Sequence, residues 1–189
     1  MIDMNFLDSY NHTKNERLNS FKFALQEATL RKHKIFVETG TARGKKKFLF
    51  FLKKNWKDGM STLLLSNYAD NVRGHLYSCD IDEKNIHNAM KFTKKFKKSI
   101  TFINDDSLNF LKNFQKKIDF LYLDSFDGYL PGASEHQLKE IKFAENKLHS
   151  NSLILLDDMN SKSNLSIDYM LERNFKILNK DSGQVLLSY

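Results

Sequence analysis

The 189-residue chain has one cysteine, one proline and one tryptophan. A lone cysteine, Cys79, rules out a disulfide framework and a multi-cysteine metal site, and it fits a reducing compartment. Pro131 is the only proline, and there is no low-complexity tract, internal repeat or linker. A single domain over 1–189 is therefore expected. Long apolar runs are also missing. Phe48–Leu52 and Leu153–Leu156 fall far short of the ~20 residues that a membrane-spanning helix needs. The opening Met-Ile-Asp-Met-Asn has none of the features of a signal peptide. These absences predict a cytoplasmic chain with no membrane partner.

Apolar residues make up 41% of the chain, enough for a core of its own. Base outweighs acid, 30 Lys+Arg against 23 Asp+Glu, for a net charge of +7. That excess permits nucleic acid as a partner. It is almost all lysine, however, and sits mainly on helical stretches such as Lys91–Lys98. A biased coding composition on a solvated surface explains it as well, so a nucleic-acid partner is possible but not favoured.

Short apolar runs alternate with helical patterns along the chain. This order predicts a doubly covered parallel sheet. Residues 14–32 read as a first helix, with Leu18, Phe21, Leu25 and Ala28 or Thr29 on one stripe. Residues 1–33 thus form a helical N-terminal extension. Strands follow at 34–38, 75–80, 100–104, 118–123 and 152–156, with helices at 60–72, 83–97, from Asp106 to about 115, 134–148 and 163–173. Two closing strands, 174–179 and 184–188, flank Lys-Asp-Ser-Gly, so the last strand runs antiparallel to its neighbour.

Each of the first five strands ends at or beside an acid: Glu38, Asp80, Asp105/Asp106, Asp124 and Asp157/Asp158. The carboxyl ends of parallel strands share one edge, where open α/β folds bind ligands. The first strand runs into a glycine loop, Glu38-Thr-Gly-Thr-Ala-Arg-Gly44. An acid inside that loop would repel a pyrophosphate. It suits a ligand with an ammonium and a ribose but no phosphate, such as S-adenosylmethionine.

In this ordered set the chain resembles the class I S-adenosylmethionine-dependent methyltransferases, a Rossmann-like fold with a seven-stranded, mostly parallel sheet. It is similar above all to small bacterial O-methyltransferases of the catechol and macrolide-sugar type. The resemblance covers about residues 30–189 and implies roles. Glu38, Gly40, Thr41 and Gly44 belong to the loop around the methionine portion. Asp80 binds the ribose hydroxyls, and Asp106 and Ser107 flank the adenine. Asp124 stands where the family has its catalytic or metal-binding acid, and Asp157 and Asp158 stand where metal-dependent members have a second acidic pair. A magnesium ion held by Asp124, Asp157 and Asp158 is expected on that basis, since hard oxygen ligands suit it and it would acidify an acceptor hydroxyl. The bland alternative is that Asp157 caps a loop and Asp158 is solvated. His136, in Ser134-Glu135-His136-Gln137, is a second candidate base, although a lone histidine early in a helix is more often a surface residue.

The chain departs from the family pattern after Gly44. Residues 45–58 intervene before Gly59-Met60-Ser61-Thr62, which resembles the usual run of the loop into its helix. This insertion is either a substrate lid or a surface excursion. The expected activity is methyl transfer to a hydroxyl of a small carbohydrate-like or phenolic acceptor. The rival is methylation of RNA, on ribose or base. A nicotinamide enzyme is disfavoured by the lack of Gly-x-Gly-x-x-Gly, and oligomeric state is left open.

Overall fold

The computed structural model describes residues 4–47, 51–58 and 60–189. In chain order its elements are α1 (Leu18–Leu30), β1 (Ile35–Thr39), β2 (Lys45–Lys47), β3 (Phe51–Lys53), α2 (Ser61–Asn71), β4 (His75–Asp80), α3 (Glu83–Phe92), β5 (Ile100–Asn104), α4 (Ser107–Asn113), β6 (Phe120–Leu123), α5 (Ala133–Ala144), β7 (Leu153–Leu156), α6 (Asn164–Leu171), β8 (Lys176–Asp181) and β9 (Gln184–Ser188). Seven strands form one sheet in the order β5-β4-β1-β6-β7-β9-β8. The pairs from β5 to β7 are parallel, and β9 lies antiparallel between β7 and β8. The β8–β9 turn needs only Ser182 and Gly183, with φ of 53° and 77°. Two positive φ values in succession match the right-handed twist of a hairpin.

The sheet is buried on both faces, so its central strands are apolar throughout rather than alternating. Phe36, Phe120, Tyr122 and Leu155 point into a cluster with Phe21 and Leu25 of α1 and Leu64 and Tyr68 of α2. Val37, Leu121, Leu123 and Ile154 point the other way, against Leu111 of α4, Ile141 of α5 and Met170 of α6. The stripe read on the first helix is buried as expected at Leu18, Phe21, Leu25 and Ala28. Two helices end earlier than their patterns suggest. After α3 the Thr93 hydroxyl donates back to the Ala89 carbonyl at 2.9 Å and the chain tightens into a 3-10 turn, Lys94–Phe96. After α5 the turn is Glu145–Lys147.

The insertion takes a form that its lysine-rich sequence does not announce. β2 and β3 pair as a separate antiparallel ribbon, with Lys45 opposite Lys53. Trp56 then stacks on His12, with centroids 5.7 Å apart, and meets Tyr10 edge-on at 6.0 Å. The tryptophan is thus packed against the N-terminal segment. Phe48, Leu49, Phe50 and Gly59 lie outside the described residues. No helix among the described residues is long and apolar enough to cross a membrane.

Candidate active site

The carboxyl ends of β1, β4 and β6 meet at Gly40. Its φ is +85°, and a Cβ there would lie 2.2 Å from the carbonyl oxygen of Asp124. Only glycine allows so close an approach. The loop is then clamped. The Thr41 amide and hydroxyl donate to Asp80 Oδ2 at 2.9 and 2.8 Å, and the Ala42 amide donates to Thr62 Oγ1 at 2.8 Å. The last bond ties the loop to the start of α2 across the insertion, as the Gly59–Thr62 reading implies.

Glu38 is placed differently from expectation. It is wholly buried beneath the loop, accepting hydrogen bonds from Ser61 Oγ at 2.7 Å and Ser78 Oγ at 2.5 Å. Ser61, not Glu38, lines the cavity above. Burial pushes the Glu38 carboxyl up to about 7, against the pull of its hydroxyl donors. Gly44, with φ +68°, lines neither cavity described here and instead leads into β2.

Two contiguous cavities share Gly40, Asp80, Ile81 and Ser125. The first, of about 190 Å³, continues to Asp106, Ser107, Phe126 and His136. Asp106 caps α4, accepting from the amides of Leu108 and Asn109 at 2.9 and 3.2 Å. The second cavity, of about 130 Å³, is polar and includes Thr41, Arg43, Ser61, Asn85, Asp124 and Asp127. Arg43 reaches Asp127 at 2.9 Å across its mouth and holds that carboxyl below its ordinary range.

His136 lines the first cavity. Its Nε2 lies 3.0 Å from Ser107 Oγ, and its ring stacks on Phe126 at 5.0 Å. Glu140, almost fully buried, approaches the same nitrogen at 3.8 Å and accepts from Ser125 Oγ at 2.7 Å. α5 packs against α4, and this carries the histidine to the first cavity rather than to the acids at the ends of β6 and β7. Cys79 is buried, and burial pushes its thiol up to about 12, as befits a core residue.

Asp124, Asp157 and Asp158 do converge: one oxygen from each lies within 4.8 Å of the others. Their mutual repulsion, which from sequence suggests a bound metal, is already met by two side chains. Arg17, just before α1, donates to Asp157 through Nε at 2.8 Å, and its second nitrogen lies 2.7 Å from Asp157 Oδ2 and 3.6 Å from Asp158. Lys162 sits 3.0 Å from Asp124 Oδ1 and 3.5 Å from Asp158 Oδ2 and donates to the Phe126 carbonyl at 2.8 Å. Burial works against both cations, but the facing carboxylates prevail and raise both pKa values. Burial and then Asp157 push the Asp124 carboxyl well above the usual range. Tyr122 adds a hydroxyl 3.3 Å from Asp124 Oδ2, so it does more than pack.

Sequence reasoning missed Arg17 and Lys162. One signal was available: the chain has only five arginines among its 30 basic residues, and two of them, Arg17 and Arg43, serve this edge.

A sheet of this order, with one reversed strand and an acid at each central strand end, defines the class I methyltransferase architecture. The chain belongs to the methyltransferase-domain family, whose model matches residues 56–159. The glycine loop lies outside the matched segment. No curated protein matches the chain. Among solved structures it is similar to the S-adenosylhomocysteine-bound methyltransferase PaMTH1 of Podospora anserina, at 15% identity and TM-score 0.65, covering 92% of this chain and 78% of that one. An rRNA methylase of Streptococcus thermophilus matches at 14% identity and TM-score 0.61, covering 94% and 98%. MycE of the mycinamycin biosynthetic pathway, solved with Mg and S-adenosylhomocysteine, matches at 14% and 0.62, covering 98% of this chain and 54% of that one.

Proposed function

We propose that the chain transfers a methyl group from S-adenosylmethionine to a hydroxyl of a small carbohydrate-like or phenolic acceptor. The observation that carries this reading is Asp124, which faces the polar cavity beside the glycine loop. The cofactor, when bound, supplies the methyl group on a sulfonium. The protein's part is to hold it and to orient the acceptor. In the first cavity Ile81 and Phe126 offer apolar faces to the adenine, with Asp106 and Ser107 at its edge. Asp80, fixed by Thr41, Asn85 and the Asp82 amide, lines both cavities at the place of the ribose hydroxyls. Ser61, Thr41 and Arg43 surround the methionine portion, with Glu38 acting through Ser61. Asp124 is then the base that receives the acceptor's proton. The ribbon and turn of 45–58 gate the acceptor side. Shortening 45–58 leaves S-adenosylhomocysteine binding intact and abolishes transfer; loss of binding as well would remove the gating role.

No step runs through magnesium. As arranged, the acids do not fit a resident divalent ion. Two cations, Arg17 and Lys162, already stand among the acids and would repel a divalent ion at close range.

A second reading, methylation of RNA, is favoured by one observation. A groove of about 660 Å³ carries Lys54, Lys91, Lys94 and Lys95 beside Tyr10 and Phe96. Labelled S-adenosylmethionine with a panel of hydroxyl acceptors and structured RNA separates the readings. Transfer to small hydroxyl acceptors is expected. Transfer to RNA alone, with affinity falling steeply with salt, moves the assignment to RNA.

A further inference from the structure

We infer that Lys162 and Arg17 stand in place of the divalent ion of a metal-assisted transferase, so that this acid cluster works without a metal. The inference rests on the methyltransferase reading for its meaning but on separate residues for its support. Lys162 bridges Asp124 and Asp158, and Arg17 bridges Asp157 and Asp158. Together they bridge two of the three pairs among these acids, and both reach Asp158.

The lysine is built in rather than incidental. Its side chain is 1% exposed. Its ammonium donates to Asp124 and to the Phe126 carbonyl and pairs with Asp158 at 3.5 Å. The backbone sets this up. Asp158, with φ +56°, starts a turn in which the Lys162 amide donates to the Asp158 carbonyl at 2.9 Å. Ser163 Oγ then donates to the Asp157 carbonyl at 2.7 Å and fixes the turn to the end of β7. The spacing Asp157-Asp158-x-x-x-Lys162 thereby returns an ammonium to the acids that precede it. Lys162 is too enclosed to touch an acceptor. It is a positioning residue that fixes Asp124, while Arg17 fixes Asp157.

The test reads metal binding directly. Mn²⁺ is titrated into the full chain, with and without S-adenosylhomocysteine, and free Mn²⁺ is followed by electron paramagnetic resonance. The native chain is expected to bind no stoichiometric Mn²⁺ in either state, and Lys162→Arg should behave alike. Lys162→Met should gain a site about tenfold tighter or more than any in the native chain, because one repelling charge is gone. Adding Asp157→Asn should remove that site. A native chain that binds one Mn²⁺, lost on Asp157→Asn, overturns the inference, and so does a folded Lys162→Met that gains nothing. Should Lys162→Met fail to fold, the native titration decides. Calorimetry with S-adenosylhomocysteine tests the methyltransferase reading separately: its failure leaves the Mn²⁺ result standing.

Discussion

Glu38→Gln should flatten the pH dependence of stability that the buried acid imposes. Glu38 is wholly buried, and its hydrogen-bond partners, Ser61 and Ser78, are uncharged. Its carboxyl rises from 4.5 to about 7 on folding. The sign follows from that rise. Below pH 4.5 the acid is protonated in both states and costs nothing. As pH climbs, the unfolded chain ionises first, and the folded chain loses relative stability until the buried acid ionises as well, near 7. The gap between 4.5 and about 7 amounts to about 3 kcal/mol, fully present above neutrality. Glutamine keeps the shape, and the serine hydroxyls can turn to suit its amide. Urea unfolding of both proteins from pH 4.5 to 8 isolates the residue, because every other titrating group is common to both. The wild type should lose about 3 kcal/mol relative to the variant across that range. Parallel profiles would refute the reasoning and mean that the carboxylate is solvated or paired with a cation.

Asp80→Ala should weaken S-adenosylhomocysteine binding, read by calorimetry, by about 1.5–3 kcal/mol, the worth of charge-assisted hydrogen bonds; unchanged affinity would exclude Asp80 from the ribose role. Arg17→Ala leaves Asp157 buried beside Asp124 without its guanidinium and should cost about 3–5 kcal/mol in urea unfolding, whereas a loss below about 1 kcal/mol would show that Gln184 suffices. His136→Ala should reduce S-adenosylhomocysteine affinity several-fold while leaving turnover at saturating cofactor nearly unchanged; a collapse in turnover at saturation would restore the histidine as a base.

Sheet, strand ends and helix order were legible because they rest on local patterns. Four-residue apolar runs such as Leu153–Leu156 must be buried on both faces, and the acids after them must share one edge. The β2–β3 ribbon was not legible, since Lys45–Lys47 is a poor strand on propensity and forms only because Phe51–Lys53 lies opposite. Which cavity the histidine meets was not legible, because helix packing, not sequence position, decides it. The partners of the acid cluster were hidden by distance. Arg17 lies 140 positions from Asp157, and no local period reports such a pair. The convergence of Asp124, Asp157 and Asp158 was legible from their strand ends, whereas the two cations beside them were not.

Asp157 is clasped from both directions of the chain, by Arg17 of the N-terminal segment and by Gln184 at the start of β9. During synthesis the arginine emerges early and must wait until nearly the whole chain has followed. Until β9 slots between β7 and β8, Asp157 has neither its glutamine nor a closed sheet around it. The full set of partners around Asp157 therefore requires both ends of the chain, although the strands that carry the acids are made in the middle. A ribosome-bound chain halted before residue 184 should carry a folded glycine loop beside an unfinished acid cluster. Such a chain would be equipped to hold its cofactor before it could use it.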